Sequence, residues 1–501
     1  MAKNNRRVLL IQPPFYRLYK NTYSLGQSPL SLSYLAGAIK KKTGWQVTIY
    51  NSDFFQHDEV FDYSYAAGVG FQNYLGNLHN ETSSIWQEIR TTIQHYCPTV
   101  VGISAMSQNF ASACVVASIA KEIDKDVLVV VGGPHPSMVR TEILKHQAID
   151  IGVFGEGEET IVDILSSIDG AHSISAIPGI VYRGKNGFVE NPDRKLISDL
   201  DSLLFPINVA QDVLKDYEKY PKGAFKSIFT IRGCPNNCSF CGSRYIWSRR
   251  SRFRSVANII AEIKEIQKSG VNYIRFDDDT FGVKKDFIHE LCSSIRRYCP
   301  GLRWSCEIHV SLVDPEVISL MKRAGCIVIQ IGVESGNNKI LEEIKKGISI
   351  EDAFSAARLI KKNRINLEAF FIVGFPQETE TTLEDTINAI MTFPCNKIVY
   401  SIFTPYPGTK LFEYCKQEGI VTNDFDISLL NHQSPKNYFC PNIPKNVFLN
   451  RLRQLEKELD RLNSRRQLKR YFSYEGYLKM KEMGLSTGIS RLLKFCKMAK
   501  F

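Results

Sequence analysis

The sequence predicts an α/β protein in three parts: a doubly wound, Rossmann-like parallel sheet, a partial (β/α)6 TIM-like barrel, and a small, mainly helical C-terminal region. Three observations predict this. Short β-rich runs alternate with helical patterns up to about residue 168, the alternation resumes with longer units from residue 223, and after about residue 430 only helical spacing remains. The expected boundaries are therefore 1–168, a connector at 169–222, a barrel at 223–430, and a basic helical region at 431–501.

In the first part, Val8–Gln12, Gln46–Asn51, Thr99–Ser104, Val127–Gly132 and Ile149–Phe154 read as strands. Pro29–Lys42, Glu81–Tyr96, Phe110–Ile123, Ser137–His146 and Glu158–Ser167 read as helices. Strands alternating with helices imply a parallel sheet covered on both faces, with ligands bound beyond the strand C-termini. The loops at those places are small and polar: "SAMSQN", "GGPHPS" and "GEGEE". The connector carries four prolines and a hairpin pattern about Lys185–Gly187. In the barrel, Phe225–Arg232, Tyr273–Asp277, Arg303–Ile308, Ile327–Gly332, Asn366–Val373 and Lys397–Thr404 are the expected strands. Val256–Ser269, Asp286–Tyr298, Pro315–Arg323, Glu351–Lys362 and Leu383–Thr392 are the helices between them.

The bulk numbers exclude several classes. A hydrophobic fraction of 44% supports buried cores, and no apolar run reaches the length of a membrane span or a secretory leader, so a cytoplasmic chain is expected. Net charge is +11, yet residues 431–501 hold 16 of the 63 basic and 5 of the 52 acidic residues, leaving a body balanced at 47 of each. A neutral body argues against nucleic acid as the partner. Thirteen cysteines without a secretion signal do not suggest a disulfide framework.

Three of those cysteines are closely spaced. "RGCPNNCSFCG" places Cys234, Cys238 and Cys241 in a C-x-x-x-C-x-x-C loop after the first barrel strand, where an active-site loop belongs. Three thiolates on one short loop suit three irons of a 4Fe-4S cluster and leave the fourth iron open. Zinc is the alternative, but no fourth ligand lies nearby, since His289 and His309 are dozens of residues away.

This loop resembles the signature of radical S-adenosylmethionine (SAM) enzymes. Four further segments are similar to that family at matching places: "FDDDTF" (276–281), "GVESGNNKIL" (332–341), "VGFPQET" (373–379) and "TPYPGTKL" (404–411). The resemblance covers roughly residues 223–425. It implies that the methionine end of SAM chelates the open iron. It further implies that Glu334 and Ser335 bind the ribose or amino acid end, that Asp278 receives the ammonium group, and that Phe240 and the Gly374–Pro376 turn flank the adenine. His309 stands where relatives often carry Arg, with a core histidine as its plain reading.

The front domain looks like the cobalamin-binding domain of cobalamin-dependent radical SAM enzymes. The resemblance implies cobalamin contacts at Pro13, Ser104, Met106, Ser107, Gly132, Gly133, Gly155, Glu156 and Gly157, where glycines admit close approach of a flat macrocycle. The D-x-H-x-x-G motif is absent and His57 stands outside any such pattern, so no histidine lower ligand to cobalt is expected; His135 is placed on the side of the nucleotide tail. The expected activity is methyl transfer from SAM, by way of methylcobalamin, to an unactivated carbon, or less readily phosphorus, of a small-molecule, natural-product or lipid intermediate. Radical ring formation, rearrangement or oxidation is the alternative, and a non-catalytic cobalamin or metal sensor a third reading. A flavodoxin or ferredoxin is the expected reducing partner.

The C-terminal leucines 449, 452, 455, 459 and 462 recur at helical spacing, and the chain ends "ISRLLKFCKMAKF". Packing of the stripe on the barrel is its plain reading; a peripheral contact with a membrane surface is the sharper one.

Overall fold

The computed structural model describes residues 6–56, 69–422, 425–429, 434 and 436–471. Internal contacts divide the chain into two compact units. The first comprises Met1–Asp279, Arg297–Leu302 and Thr404–Asn437; the second comprises Thr280–Arg296, Arg303–Phe403 and Tyr438–Phe501.

The first unit contains a seven-stranded sheet in the order β2-β1-β3-β4-β5-β6-β7. Its strands are β1 (Arg7–Gln12), β2 (Gln46–Asn51), β3 (Val100–Ser104), β4 (Leu128–Gly132), β5 (Ile151–Val153), β6 (Ile180–Gly184) and β7 (Gly187–Glu190). The first five are parallel. "VLLI", "VVGIS" and "LVVVG" are almost continuously apolar because helices cover both faces. Strand β1 has β2 on one side and β3 on the other, so the order reverses there. Such a switch point opens a crevice at the strand C-termini.

The hairpin expected at Lys185–Gly187 forms, and β6 pairs antiparallel with β5, so the first sheet extends past residue 168 into the connector. The helix expected at Ser137–His146 instead starts at Pro134, stops at Val139, and passes into a 3-10 segment over Arg140–Lys145. The break falls at Arg140, whose φ of 55° no α-helix tolerates. Helix Val69–His79 was not expected; Gly70 and Gly76 mask its pattern, yet it buries Phe71, Tyr74 and Leu78. His57 lies outside the described residues.

The same unit carries β8 (Ser227–Ile228), β9 (Ile231–Arg232), β10 (Arg252–Phe253) and β11 (Tyr273–Phe281) as far as Asp279. Strand β8 runs parallel to β11, and β9 pairs antiparallel with β10. The single strand expected over Phe225–Arg232 is broken at Thr230, for a reason given below.

The second unit holds parallel strands β12 (Arg303–Ile308), β13 (Cys326–Glu334), β14 (Asn366–Val373) and β15 (Lys397–Ile402), paired in that order. Its helices start on side-chain caps. Asp314 precedes Pro315–Arg323, Ser349 and Asp352 box Ile350–Lys362, and Thr379 and Thr382 box Glu380–Thr392. The final described helix, Lys445–Tyr471, buries Leu452, Leu455 and Leu459. Asn463 donates to the Ile398 carbonyl at 2.8 Å and accepts from its N–H at 3.0 Å, which satisfies backbone groups of β15. The leucine stripe therefore packs on this unit. Residues 472–501 lie outside the described residues. Among the described residues no helix is long and apolar enough to cross a membrane.

Candidate functional site

At the C-terminal ends of β1, β3, β4 and β5 a cavity of about 280 Å³ opens in the first unit. Gln12, Ser104, Met106, Gly132, Gly133, Gly155, Glu156 and Gly157 line it, and Tyr34, Arg232 and Trp247 close it. Of the cobalamin contacts expected from sequence, seven stand on this wall. Pro13 and Ser107 do not. Gln12 takes the place of Pro13, and buried Ser107 turns its hydroxyl to His135 Nδ1 at 3.0 Å. His135 is absent from the wall; burial lowers its pKa to about 3 and keeps the ring neutral. Tyr34, Arg232 and Trp247 carried no sequence signal, since none lies at an end of a strand of the first sheet.

The residues present fit insertion of a flat heteroaromatic group. Gly102 and Gly132 floor the cavity without side chains, and the remaining wall is largely apolar. Glycine is required at 133, where φ is +112° and a Cβ would stand 2.8 Å from the Ala105 carbonyl oxygen. Backbone cannot yield as a side-chain tip can. Gly133→Ala is expected to cost about 2–3 kcal/mol, read as a lower thermal midpoint.

Glu156 contributes to the wall, but its carboxylate is already engaged. It accepts from Arg232 Nη1 at 2.7 Å, Arg252 Nη1 at 2.8 Å and the Ile197 N–H at 2.6 Å. Arg232 also reaches Glu158 at 2.6 Å, and its guanidinium lies 5.1 Å from the ring centres of both Tyr34 and Trp247. Glu156 is thus a structural ion-pair partner rather than a free ligand-binding acid.

The cysteine loop is held from several sides. Leu411 N–H donates to the Ser239 carbonyl at 3.1 Å, Arg249 Nη2 to the Pro235 carbonyl at 2.9 Å, and Arg244 Nη1 to Asn237 Oδ1 at 3.0 Å. Gly233, at φ +103°, leaves no room for a Cβ against the Arg250 carbonyl. Gly242, directly after Cys241, lies under the Met138 sulfur, which a Cβ would approach to 2.5 Å. Cys234 and Cys238 are half-buried and Cys241 exposed, and none is in a disulfide. Among the described residues no three His, Cys, Asp or Glu side chains converge on a single ion. Most of the other cysteines are buried: Cys292, Cys299, Cys306, Cys326, Cys395, Cys415 and Cys440.

Asp278 differs from its expected role. The acidic triplet lies within β11 rather than in a loop after it. One Asp278 oxygen accepts from the N–H groups of Thr230 (2.7 Å) and Ile231 (3.1 Å), and the other from the Thr230 hydroxyl. Asp278 therefore brackets the strand that leads into the cysteine loop, and this bracket is what breaks the strand at Thr230. Burial pushes its carboxyl up to about 7. Its neighbour Asp279 accepts from Ser243, two residues past Cys241, at 2.6 Å. Phe240 is half-buried within the loop.

The remaining SAM candidates belong to the second unit and gather at the C-terminal ends of adjacent strands β13 and β14. Glu334 ends β13 at φ +69° and forms a buried ion pair with Lys346 at 2.7 Å. A non-glycine residue held in that region is strain of the kind found at functional sites. Gly332 makes the pair feasible, because a Cβ there would collide with the Glu334 carboxylate. Ser335 is buried and faces Thr386 Oγ1 at 3.1 Å, so its hydroxyl anchors the loop to helix Glu380–Thr392. Gly374, at φ +85°, lies against the Phe448 ring, and Asn442 Nδ2 meets the Pro376 carbonyl at 3.4 Å. Glu378, unnoticed in the sequence, accepts from the Gly374 N–H; burial pushes its carboxyl up to about 8, so it is neutral.

His309 is a core histidine. Its Nε2 meets the Lys346 carbonyl at 3.1 Å and its Nδ1 accepts from the Ser311 N–H at 3.3 Å, which fixes the Nε2–H tautomer. Burial, and then the Lys346 charge, lower its pKa to about 4. The folded state binds fewer protons than the unfolded state between pH 4 and 6.5. This contribution is therefore complete above pH 6.5 and is lost as pH falls through 4, at most about 3 kcal/mol. The urea midpoint of the wild type should drop over that interval more steeply than that of His309→Gln.

Two family models match this chain: the B12 binding domain over residues 16–165 and the Radical SAM superfamily over 228–390. An uncharacterized methyltransferase of Pyrococcus horikoshii is 31% identical over 412 residues, which covers 81% of this chain and 83% of that one. The chain belongs to the cobalamin-dependent radical SAM family. It is also 28% identical over 385 residues to the anaerobic magnesium-protoporphyrin IX monomethyl ester cyclase of Rubrivivax gelatinosus, covering 74% of this chain and 67% of that protein. The fold matches that of the radical S-adenosylmethionine methyltransferase TsrM from Kitasatospora setae, solved with tryptophan and a SAM analogue, at a TM-score of 0.69 and 19% identity, over 92% and 90% of the two chains.

Proposed function

We propose that the protein is a cobalamin-dependent radical SAM methyltransferase acting on an unactivated carbon of a small-molecule substrate. One observation carries the proposal: the glycine-floored cavity and the three-cysteine loop belong to one compact unit, in which Met138 of the helix Pro134–Val139 packs on Gly242 beside Cys241. When bound, the cluster with SAM supplies hydrogen abstraction and cobalamin supplies the methyl group. The chain's own residues position these groups. Cys234, Cys238 and Cys241 would hold the cluster; Asp278 and Met138 fix their loop; Ser104, Met106, Gly132, Gly133, Gly155 and Gly157 would receive cobalamin. Phe240 in the first unit, and separately Glu334 and the Gly374–Pro376 turn in the second, are the SAM candidates; Lys346 sets the geometry of Glu334 and Glu378 that of the turn.

The relative named as a cyclase supports a second reading, radical chemistry without methyl transfer. Anaerobic turnover of the reconstituted protein separates the two. Methyl transfer yields S-adenosylhomocysteine together with deoxyadenosine and a product heavier by one methyl group, whereas deoxyadenosine alone would overturn it. A flavodoxin- or ferredoxin-class donor would reduce the cluster. Contact of the basic residues 472–501 with a membrane surface is a separate proposal. It predicts that the full chain, and not the chain cut after residue 471, co-sediments with anionic vesicles.

A further inference from the structure

A second cleft in the first unit, of about 1010 Å³, has a different chemistry. Six cations line it, Arg140, Arg194, Lys195, Arg244, Arg250 and Arg252, against one carboxylate, Asp193. Arg140 pairs with Asp193 at 2.9 Å, Arg194 with Asp163, and Arg252 with Glu156 at 2.8 Å. Lys195, Arg244 and Arg250 have no carboxylate partner among the described residues; Arg244 donates only to Asn237. Arg252 Nε and Nη2 and Arg194 Nε are buried with no hydrogen-bond partner among the described residues. A buried donor left unpaired costs roughly 1–3 kcal/mol, so Arg194 and Arg252, which line this cleft, keep hydrogen-bonding capacity that their carboxylate partners do not use.

The cleft adjoins both parts of the site described above. Arg244 follows Cys241 by three residues, and Gly155 and Ile246 belong to this cleft and to the glycine-floored cavity alike. We infer that this cleft binds a phosphate or diphosphate group of the substrate, an inference that rests on the methyltransferase reading. Three cations without carboxylate partners among the residues that line one cleft suit a polyanion better than a single carboxylate. Tyr245, Ile246 and Leu196 supply apolar wall for the rest of the molecule. A nucleic-acid backbone fits less well, because the body of the chain is charge-balanced and these cations line a cleft rather than a stripe.

The chemistry is shared by soluble phosphate esters and by lipid headgroups, so two probes are needed. The full chain, reconstituted anaerobically with cluster and cobalamin, is tested by equilibrium dialysis with inorganic pyrophosphate. It is also tested by co-sedimentation with phosphatidylcholine vesicles containing phosphatidate. Lys195→Ala combined with Arg250→Ala changes two exposed side chains and should retain bound cobalamin, which its absorption spectrum checks. Pyrophosphate affinity about tenfold or more weaker in this variant supports a soluble phosphate ester. An equal loss seen only with vesicles supports a headgroup. Equal binding by wild type and variant for both probes overturns the inference, as does displacement of pyrophosphate by cobalamin loading, which would give the cleft to the cofactor. If wild type takes up no corrinoid, the functional reading fails whatever the pyrophosphate result.

Discussion

Replacing Arg232 with methionine should destabilise the first unit by about 3–5 kcal/mol, the usual result of removing one partner from a buried ion pair. Arg232 is 4% exposed and holds two glutamates at once, Glu156 at 2.7 Å and Glu158 at 2.6 Å. The loss is unequal between them. Glu156 keeps Arg252 at 2.8 Å, whereas no second cation is paired with Glu158 among the described residues. Glu158 therefore bears most of the penalty as an unpaired buried charge. Adding Glu158→Gln to Arg232→Met should recover a substantial part of the stability, and the double-mutant cycle measures that coupling. Lysine is a poor substitute, since it cannot span both carboxylates with a planar fork or lie between the Tyr34 and Trp247 rings in the same way. Thermal unfolding should show the change in one transition only, because a chain with two compact units need not unfold as one. An unchanged midpoint in Arg232→Met would show that the network contributes nothing.

The second large effect concerns the cysteine loop. Cys238→Ala, reconstituted anaerobically, should lose cluster iron and with it all cleavage of SAM. Cys234→Ala, Cys241→Ala and the triple variant should each fall to the same background, since ligands that act as a unit are not additive. Buried Cys306 is the contrasting position. Cys306→Ala should leave bound iron unchanged and cost only packing. Full iron content in Cys238→Ala would remove that residue from the ligand set.

Much of this architecture was readable in the sequence because periodicity reports burial. Strands Gln46–Asn51, Arg303–Ile308 and Asn366–Val373 and helix Phe110–Ile123 were expected at their observed limits. The failures have physical causes. The strand into the cysteine loop breaks because Asp278, dozens of residues away, captures the backbone at Thr230, and no local pattern contains that contact. The helix after β4 ends early because Arg140 adopts a left-handed φ and stacks its guanidinium 3.7 Å from the Phe154 ring centre. Motifs located the glycines and cysteines, whose spacing is local. Arg232, Trp247, Lys346 and Glu378 were missed, because each acts through a partner distant in sequence or through burial that only the fold creates.

The distribution of thiols also bears on how the protein acquires its metal. Seven cysteines are shut inside the packed interior, while all three of the loop remain accessible to solvent in some degree. Iron and sulfide supplied in excess to the folded chain therefore meet the loop thiols ahead of those seven buried ones. Folding before metallation protects the fidelity of assembly. Brief exposure of the metal-free chain to an alkylating reagent should accordingly mark the loop, together with exposed Cys97, well before the interior.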